Sequence, residues 1–207
     1  MRKPTEKSPD SLQRALEIFR RHGGLLRTKD VIAAGIHPRT LYALRDRGTV
    51  ETLSRGIYRL SDAAPLGNPD LVAVALRIPH GVICLVSALA FHELTTQIPH
   101  EVSVAISRGT EPPRISHPPT RVLWFAGKAF SEGIETHVLD AVPVRIYCRE
   151  KTLADCFRYR NKIGLDTCLE AFRLYRQQQW RDLDALTRFA HQRRVLSAMR
   201  PYLEAIL

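Results

Sequence analysis

Apolar residues along the first 35 positions recur at helical spacing. They predict a first helix over about residues 10–21. Its apolar face comprises Leu12, Ala15, Leu16 and Phe19. A second helix is predicted after Thr28, the expected side-chain cap, and Gly35 is expected to end it. On this helix the apolar positions Val31 and Ile32 are expected to face inward.

The next 25 residues predict a third helix and a hairpin. Pro38 suits the first turn of a helix, because its missing N–H costs nothing there. Leu41 and Leu44 point to one side of this helix, and Gly48 ends it. The opposite side is expected to carry Arg39, Thr40, Tyr42, Ala43, Asp46 and Arg47. Alternating apolar residues then predict strands over 50–53 and 57–60. Three helices followed by a hairpin are typical of a winged helix-turn-helix.

The polar side of the third helix suits the major groove of DNA. Arginine can bind guanine through two hydrogen bonds, and small apolar groups can contact thymine methyls. The residues predicted to contact DNA are Arg39, Thr40, Tyr42, Ala43 and Arg47 on the helix and Arg55 in the hairpin turn. Arg55 is expected to meet a phosphate or the minor groove. Other interpretations are a helical domain that only packs, or a winged helix used for protein contacts.

Charge favours the DNA interpretation. Residues 1–61 contain 13 Lys and Arg against 6 Asp and Glu, so most of the formal net charge of +10 lies there. Such an asymmetry is typical of a module that binds a polyanion. We therefore expect double-stranded DNA as a partner, with an operator of inverted repeats filled by two copies of the chain.

The remaining chain predicts a second domain. Residues 62–69 lack periodicity and are rich in turn formers, so we expect a linker between a domain at 1–61 and a domain at 70–207. Strands are predicted over 101–106, 121–125, 134–139 and 142–147, and helices over 69–79, 87–94, 150–160, 165–178, 182–191 and from 195 onward. The expected fold class is α+β, with a small, mainly antiparallel sheet flanked by helices and a helical C-terminal segment.

Membrane, metal and cofactor functions find little support in the sequence. The longest apolar run, Val82–Phe91, has about half the length that a bilayer requires, and we expect a cytoplasmic protein. The cysteines, expected to be buried thiols, are Cys84, Cys148, Cys156 and Cys168. His92 and Glu93 lack a second histidine at metal-ligand spacing, so His92 is expected to be a capped or surface residue. No metal, cofactor or catalytic residue is predicted.

Three segments resemble the AbiEi family of antitoxins, the regulatory half of the AbiE toxin–antitoxin systems that bacteria use for phage defence. The segments are LSRGIYRL at Leu53–Leu60, SALAFHELT at Ser87–Thr95 with the following EVSVAI, and Val142–Phe172. The last segment is the most specific, because its similarity is not limited to a pattern of apolar residues. It includes Glu150 to Leu153, Asp155 and the basic run from Arg158 to Lys162. The resemblance implies an N-terminal domain that represses its own operon and a C-terminal domain that neutralises a nucleotidyltransferase toxin, usually without a stable complex.

The helix predicted at 150–160 allows two interpretations. Lys151, Asp155 and Arg158 recur at spacings of four and three, so they could form solvated ion pairs on one side. Alternatively, the chain presents a second basic surface for nucleic acid or an acidic partner, which would carry antitoxicity. Its members would be Lys151, Arg158, Arg160 and Lys162. Both interpretations predict exposed cations.

Two other functions remain open from the sequence. The first is a ligand-responsive winged-helix regulator without a toxin. The second is an enzyme that acts on nucleic acid, for which the candidates would be Glu93, Asp155 and Lys151. The sequence contains no glycine-rich phosphate loop, nucleophile elbow or close pair of carboxylates, which argues against catalysis.

Overall fold

The computed structural model describes residues 9–112, 115–179 and 181–206. The backbone forms two compact units. The first comprises the residues up to Leu76 together with Leu139–Val142, and the second comprises Arg77–Val138 and Pro143–Leu207. Residues 62–76 therefore group with the first unit, while the domain bounds 1–61, 62–69 and 70–207 stay a prediction.

The first unit is a winged helix-turn-helix, as predicted. Its elements are α1 (Pro9–Arg21), β1 (Leu25–Arg27), α2 (Thr28–Ala33), α3 (Pro38–Asp46), β2 (Val50–Ser54), β3 (Ile57–Leu60) and α4 (Pro69–Arg77). The strand β3 lies in the middle of a three-stranded sheet and is antiparallel to both β1 and β2. One apolar core joins the first three helices to this sheet. Its buried residues include Phe19, Val31, Leu41, Leu44, Val50 and Leu60.

Two predictions about α2 were wrong. Arg27, not Thr28, precedes the helix as its N-cap, and the Thr28 hydroxyl donates instead to the Gly56 carbonyl at 3.3 Å. Thr28 therefore ties β1 to the hairpin turn rather than capping α2. Ile32 is 53% exposed, because a helix of six residues places only Val31 fully in the core.

The second unit combines a five-stranded sheet with helices, so the α+β class is confirmed. Its elements are β4 (Val82–Ile83), α5 (Leu85–Phe91), β5 (Val102–Ser107), β6 (Thr120–Phe125), α6 (Lys128–Ser131), β7 (Ile134–Leu139), β8 (Val142–Tyr147), α7 (Arg149–Arg158), α8 (Arg160–Ile163), α9 (Leu165–Gln177), α10 (Leu183–Gln192) and α11 (Leu196–Ile206). The strand order is β6-β5-β4-β8-β7. The sheet is mixed, whereas a mainly antiparallel sheet was predicted. Strand β4 pairs antiparallel with β5, but β5–β6 and β4–β8 are parallel, and the local alternation of apolar residues does not determine strand direction.

Helix α7 is the centre of the second unit. It packs against α5, α9 and α10, so every residue from Lys151 to Phe157 is buried. The sequence predicted an amphipathic helix with a solvated side, but surrounding helices leave no such side along this stretch. Among the described residues, no helix combines the length and apolarity needed to cross a membrane.

Candidate functional site

Residues at both ends of α3 fix where the helix begins and ends. His37 precedes it, and its Nδ1 accepts a hydrogen bond from the Arg39 backbone N–H at 3.1 Å. Pro38 occupies the first helical position, as predicted. Gly48 follows the helix with a φ of +70°, the left-handed conformation that glycine adopts at low cost. Leu41 and Leu44 anchor the helix through side chains that are 1% and 2% exposed.

The opposite side of α3 presents most of the predicted DNA-contacting residues to solvent. Arg39 and Arg47 are exposed, Tyr42 is 42% exposed, and Ala43 is half-buried. Thr40 does not belong to this surface, because it is only 8% exposed. It lies four residues before Leu44, so it shares the inner side of the helix. The hydroxyl predicted to read a base therefore faces the core.

Arg45 is an exposed residue of this surface that the sequence analysis missed. Its guanidinium lies 5.0 Å from the centre of the Tyr42 ring and donates to the Asp46 carboxylate at 2.8 and 3.0 Å. The spacing of three residues between Tyr42 and Arg45 was a signal for this contact. Asp46 neutralises Arg45 locally, and Arg39 and Arg47 add two further exposed cations.

The hairpin of β2 and β3 forms the wing. Its turn consists of Arg55 and Gly56, one residue shorter than predicted because β2 extends to Ser54. Arg55 is exposed at the tip. The Thr28 backbone N–H donates to the Gly56 carbonyl at 2.9 Å, which fixes the turn to the start of α2. The wing therefore holds one cation at a defined position.

The second predicted basic surface does not exist as a continuous face. Lys151 is wholly buried, which contradicts both interpretations of this helix, since each required it to be exposed. Arg160 lies over the Phe157 ring at 4.8 Å and donates to the Phe157 carbonyl at 3.1 Å. Arg158 and Lys162 are exposed and line one cavity.

A buried ion-pair cluster takes the place of that surface. The Asp155 carboxylate is fully buried and contacts both the Lys151 ammonium and the Arg193 guanidinium. The Lys151 Nζ also lies 4.2 Å from the centre of the Tyr147 ring. Burial raises the pKa of Asp155 and lowers the pKa of Lys151, and in each group the charge of the partner opposes that shift. We call Lys151, Asp155 and Arg193 the buried triad.

The residues that an enzymatic function would need are not available together. Glu93 is exposed after α5, whereas Asp155 and Lys151 have no exposed surface. Two members of the buried triad, Lys151 and Asp155, therefore offer no group to a substrate in this conformation.

Burial also keeps the cysteine thiols of the described residues from reacting. Cys84, Cys156 and Cys168 are buried and Cys148 is half-buried. Burial raises the pKa of Cys148 to about 11 and that of Cys168 to about 12, so both stay protonated at neutral pH. Within residues 9–112, 115–179 and 181–206, no group of three His, Cys, Asp or Glu side chains could hold a metal ion.

His92 is buried after the end of α5 and is not a surface residue. It is 4% exposed, and its Nε2 lies 2.7 Å from the Tyr147 carbonyl, so this nitrogen is the protonated donor. Burial lowers the pKa of His92, against the opposing effect of the Tyr147 hydrogen bond and Glu135. Arg149 and His137 add to the lowering.

This shift predicts a loss of stability in mild acid. The unfolded chain binds a proton at His92 below a pH of about 6.5, while the folded chain resists it until a lower pH. The His92 contribution is therefore complete above that pH and falls as the pH drops towards the folded pKa. We expect urea unfolding to show a loss of stability between pH 7.5 and 5 that H92Q lacks. Identical pH dependence of both proteins would contradict the assignment.

Comparisons with known proteins agree with the winged helix. Residues 13–61 match the profile of a family described as "Transcriptional regulator, AbiEi antitoxin", the family whose resemblance the sequence showed. The match includes the segment Leu53–Leu60 and ends before the other two segments. The crystal structure of the RV2827C protein from Mycobacterium tuberculosis shares the fold, with a TM-score of 0.59 at 12% identity over 96% of this chain and 82% of that chain. A search of curated proteins found no match.

Proposed function

We propose that this chain, whose residues 13–61 match the AbiEi regulator family, binds operator DNA, represses its own operon and acts as an antitoxin. The observation that carries the proposal is the exposure of Arg39 and Tyr42 on α3 and of Arg47 directly after it, on a helix anchored by buried leucines. A helix of this kind fits the major groove, and the wing brings Arg55 towards the adjacent backbone.

The proposed operator consists of inverted repeats, each bound by one copy of α3. A symmetric site presents the same half-site twice, so two copies of one chain can read it about one helical turn apart. The copies could meet only on the DNA or associate beforehand. The proposed location of this activity is the cytoplasm, where the DNA is.

The antitoxin role rests on the family description and on the resemblance of residues 142–172. We propose that the chain counteracts a nucleotidyltransferase-type toxin encoded by a neighbouring gene. The buried triad removes Lys151 from any contact with that toxin. Arg158 and Lys162 are exposed, and they remain candidates for antitoxicity. Arg160 is the weaker candidate, because its guanidinium already contacts the ring and the carbonyl of Phe157.

Co-expression with the neighbouring gene tests this proposal. We expect the full chain to restore the growth of cells that express the toxin, and the double variant R39A/R47A to restore growth equally while failing to repress a reporter that carries the operon's promoter. The variant separates the two roles because both side chains lie in the first unit, on α3 and directly after it. A full chain that represses the reporter without restoring growth would remove the antitoxin claim and leave a winged-helix regulator.

A ligand-responsive regulator without a toxin is the second candidate. The cavity that Arg158 and Lys162 line supports it, because a sensor domain requires an open site with converging polar groups. The same experiment distinguishes the two functions, since this candidate predicts repression without any effect on growth.

A further inference from the structure

A cavity of about 510 Å³ opens on the second unit. The residues that line it come from the end of β6, from α6, from the junction of α7 with α8, and from the residues that follow β5 and α10. They are Arg108, Trp124, Phe125, Ala126, Ala129, Arg158, Tyr159, Asn161, Lys162 and Arg193. This volume lies in the range typical of small-ligand sites, about 300 to 1,000 Å³.

The cavity is strongly cationic. Four of the side chains that line it carry a positive charge, and none of those identified in the described part of the chain is acidic. Arg108 and Arg158 are exposed and have no carboxylate partner among the described residues. Cations converging on a concave site concentrate an anionic ligand there. A phosphate group is the anion that such a set of guanidinium and ammonium donors binds best.

Arg193 lines the cavity and is held by two contacts. Its guanidinium contacts the Asp155 carboxylate and lies 4.9 Å from the centre of the Phe125 ring. Its side chain keeps 14% of its surface exposed. The buried triad contains two cations and one carboxylate, so Asp155 does not neutralise both Lys151 and Arg193. A fixed cation binds an anion without the entropy loss of ordering a long side chain.

Aromatic rings give the cavity a second kind of contact. Trp124 is 48% exposed, although its indole N–H donates to the Thr110 carbonyl at 3.1 Å and so restrains the ring. Tyr159 stacks on Phe125 with 6.0 Å between ring centres. An exposed indole ring among cations suits a planar base, because bases stack on aromatic side chains while arginine and lysine hold the phosphates. Asn161 adds an amide that can hydrogen-bond to a base edge or a sugar hydroxyl.

We propose that this cavity binds a nucleoside phosphate, with the base on Trp124 and the phosphates on Arg158, Lys162 and Arg108. The site goes beyond the proposed DNA binding and does not depend on it. A free nucleotide and the terminal nucleotide of a single-stranded RNA present this same chemistry. A site with positive charge alone would bind any anion, so the Trp124 ring is the feature that selects a nucleotide.

Isothermal titration of the full chain tests the site. The ligands are the four ribonucleoside triphosphates, the matching nucleosides, inorganic triphosphate, and a six-nucleotide RNA with a terminal phosphate. We expect at least one triphosphate or the RNA to bind with a dissociation constant in the micromolar range. The nucleosides and inorganic triphosphate should bind at least tenfold more weakly than that ligand. Tighter binding of the RNA would show that the ligand is the end of an RNA strand. Tighter binding of a triphosphate would show that the ligand is a free nucleotide.

Variants assign the binding to this cavity. We expect R158Q/K162Q to weaken the nucleotide at least tenfold and W124A to weaken it about tenfold while leaving inorganic triphosphate unchanged. The exposed pair R173Q/R200Q removes the same charge elsewhere on the second unit, and R39Q/R47Q removes it from α3, so neither should change the affinity. Equal affinity for inorganic triphosphate and nucleotides, absence of binding, or binding that R158Q/K162Q leaves intact would overturn the proposal. Unchanged thermal unfolding of each variant confirms that it is folded.

Discussion

Replacing Asp155 by asparagine is expected to lower the free energy of unfolding by about 3 to 5 kcal/mol, the largest stability loss that a single polar substitution should cause here. The substitution leaves Lys151 and Arg193 facing each other without a carboxylate between them, and Lys151 has no exposed surface. K151M should cost less, about 1 to 3 kcal/mol, because Asp155 keeps Arg193 as its partner. Urea unfolding of the full chain measures both losses.

The exposed Asp184 of α10 provides a matched control. D184N removes the same charge at a position open to solvent, so it should change the free energy of unfolding by less than about 0.5 kcal/mol. The order D155N, K151M, D184N follows from burial and from whether a buried charge keeps a partner of opposite sign. If K151M were as harmless as D184N, Lys151 would be a surface cation after all, and the buried triad would be wrong.

The second large effect is expected on the DNA affinity that α3 provides. R39A and R47A should each weaken the binding of operator DNA by about 1 to 3 kcal/mol, which is roughly 5-fold to 150-fold. A residue that reads a base should also lose its preference for that base, whereas a residue that contacts phosphate should lose affinity equally for all sequences. Competition between operators with single base changes distinguishes these cases for each arginine.

Two controls belong with these variants. R173A removes an exposed arginine of the second unit and should leave DNA affinity unchanged. T40V should also leave it unchanged, because Thr40 is 8% exposed and lies on the inner side of α3. A loss of sequence preference in T40V, together with normal binding by R39A and R47A, would show that a different side of the helix meets the DNA.

The winged helix could be predicted because local patterns determine it. Leu41 and Leu44 recur at helical spacing, Pro38 and Gly48 mark the ends of α3, and the strand Ile57–Leu60 has the predicted bounds. Each of these signals depends on residues that are close in sequence. The strand β1 was not predicted, because it is three residues long and pairs with β3, whose residues lie 30 to 34 positions further along the chain.

The second unit shows where local patterns fail. The four-residue spacing of Lys151 and Asp155 predicted that they share a side of the helix, and they do pair. Whether that side faces water depends on α9 and α10, which arrive later in the chain. Arg193 lies 38 residues beyond Asp155, so no spacing rule could join it to the pair. The cavity depends on the same long-range packing, and only its cations Arg158 and Lys162 were recognised from the sequence.

The most direct test of the central claim is the affinity of the full chain for the DNA upstream of its own gene, measured over a range of salt concentrations beside unrelated DNA of equal length. DNA recognition by α3 and the wing predicts a preference of about a hundredfold or more for the upstream DNA. With about 4 to 6 phosphates neutralised for each copy, log affinity should fall against log salt with a slope of about −4 to −5. Equal affinity for both DNAs, or a slope near zero, would contradict DNA recognition by α3 and the wing.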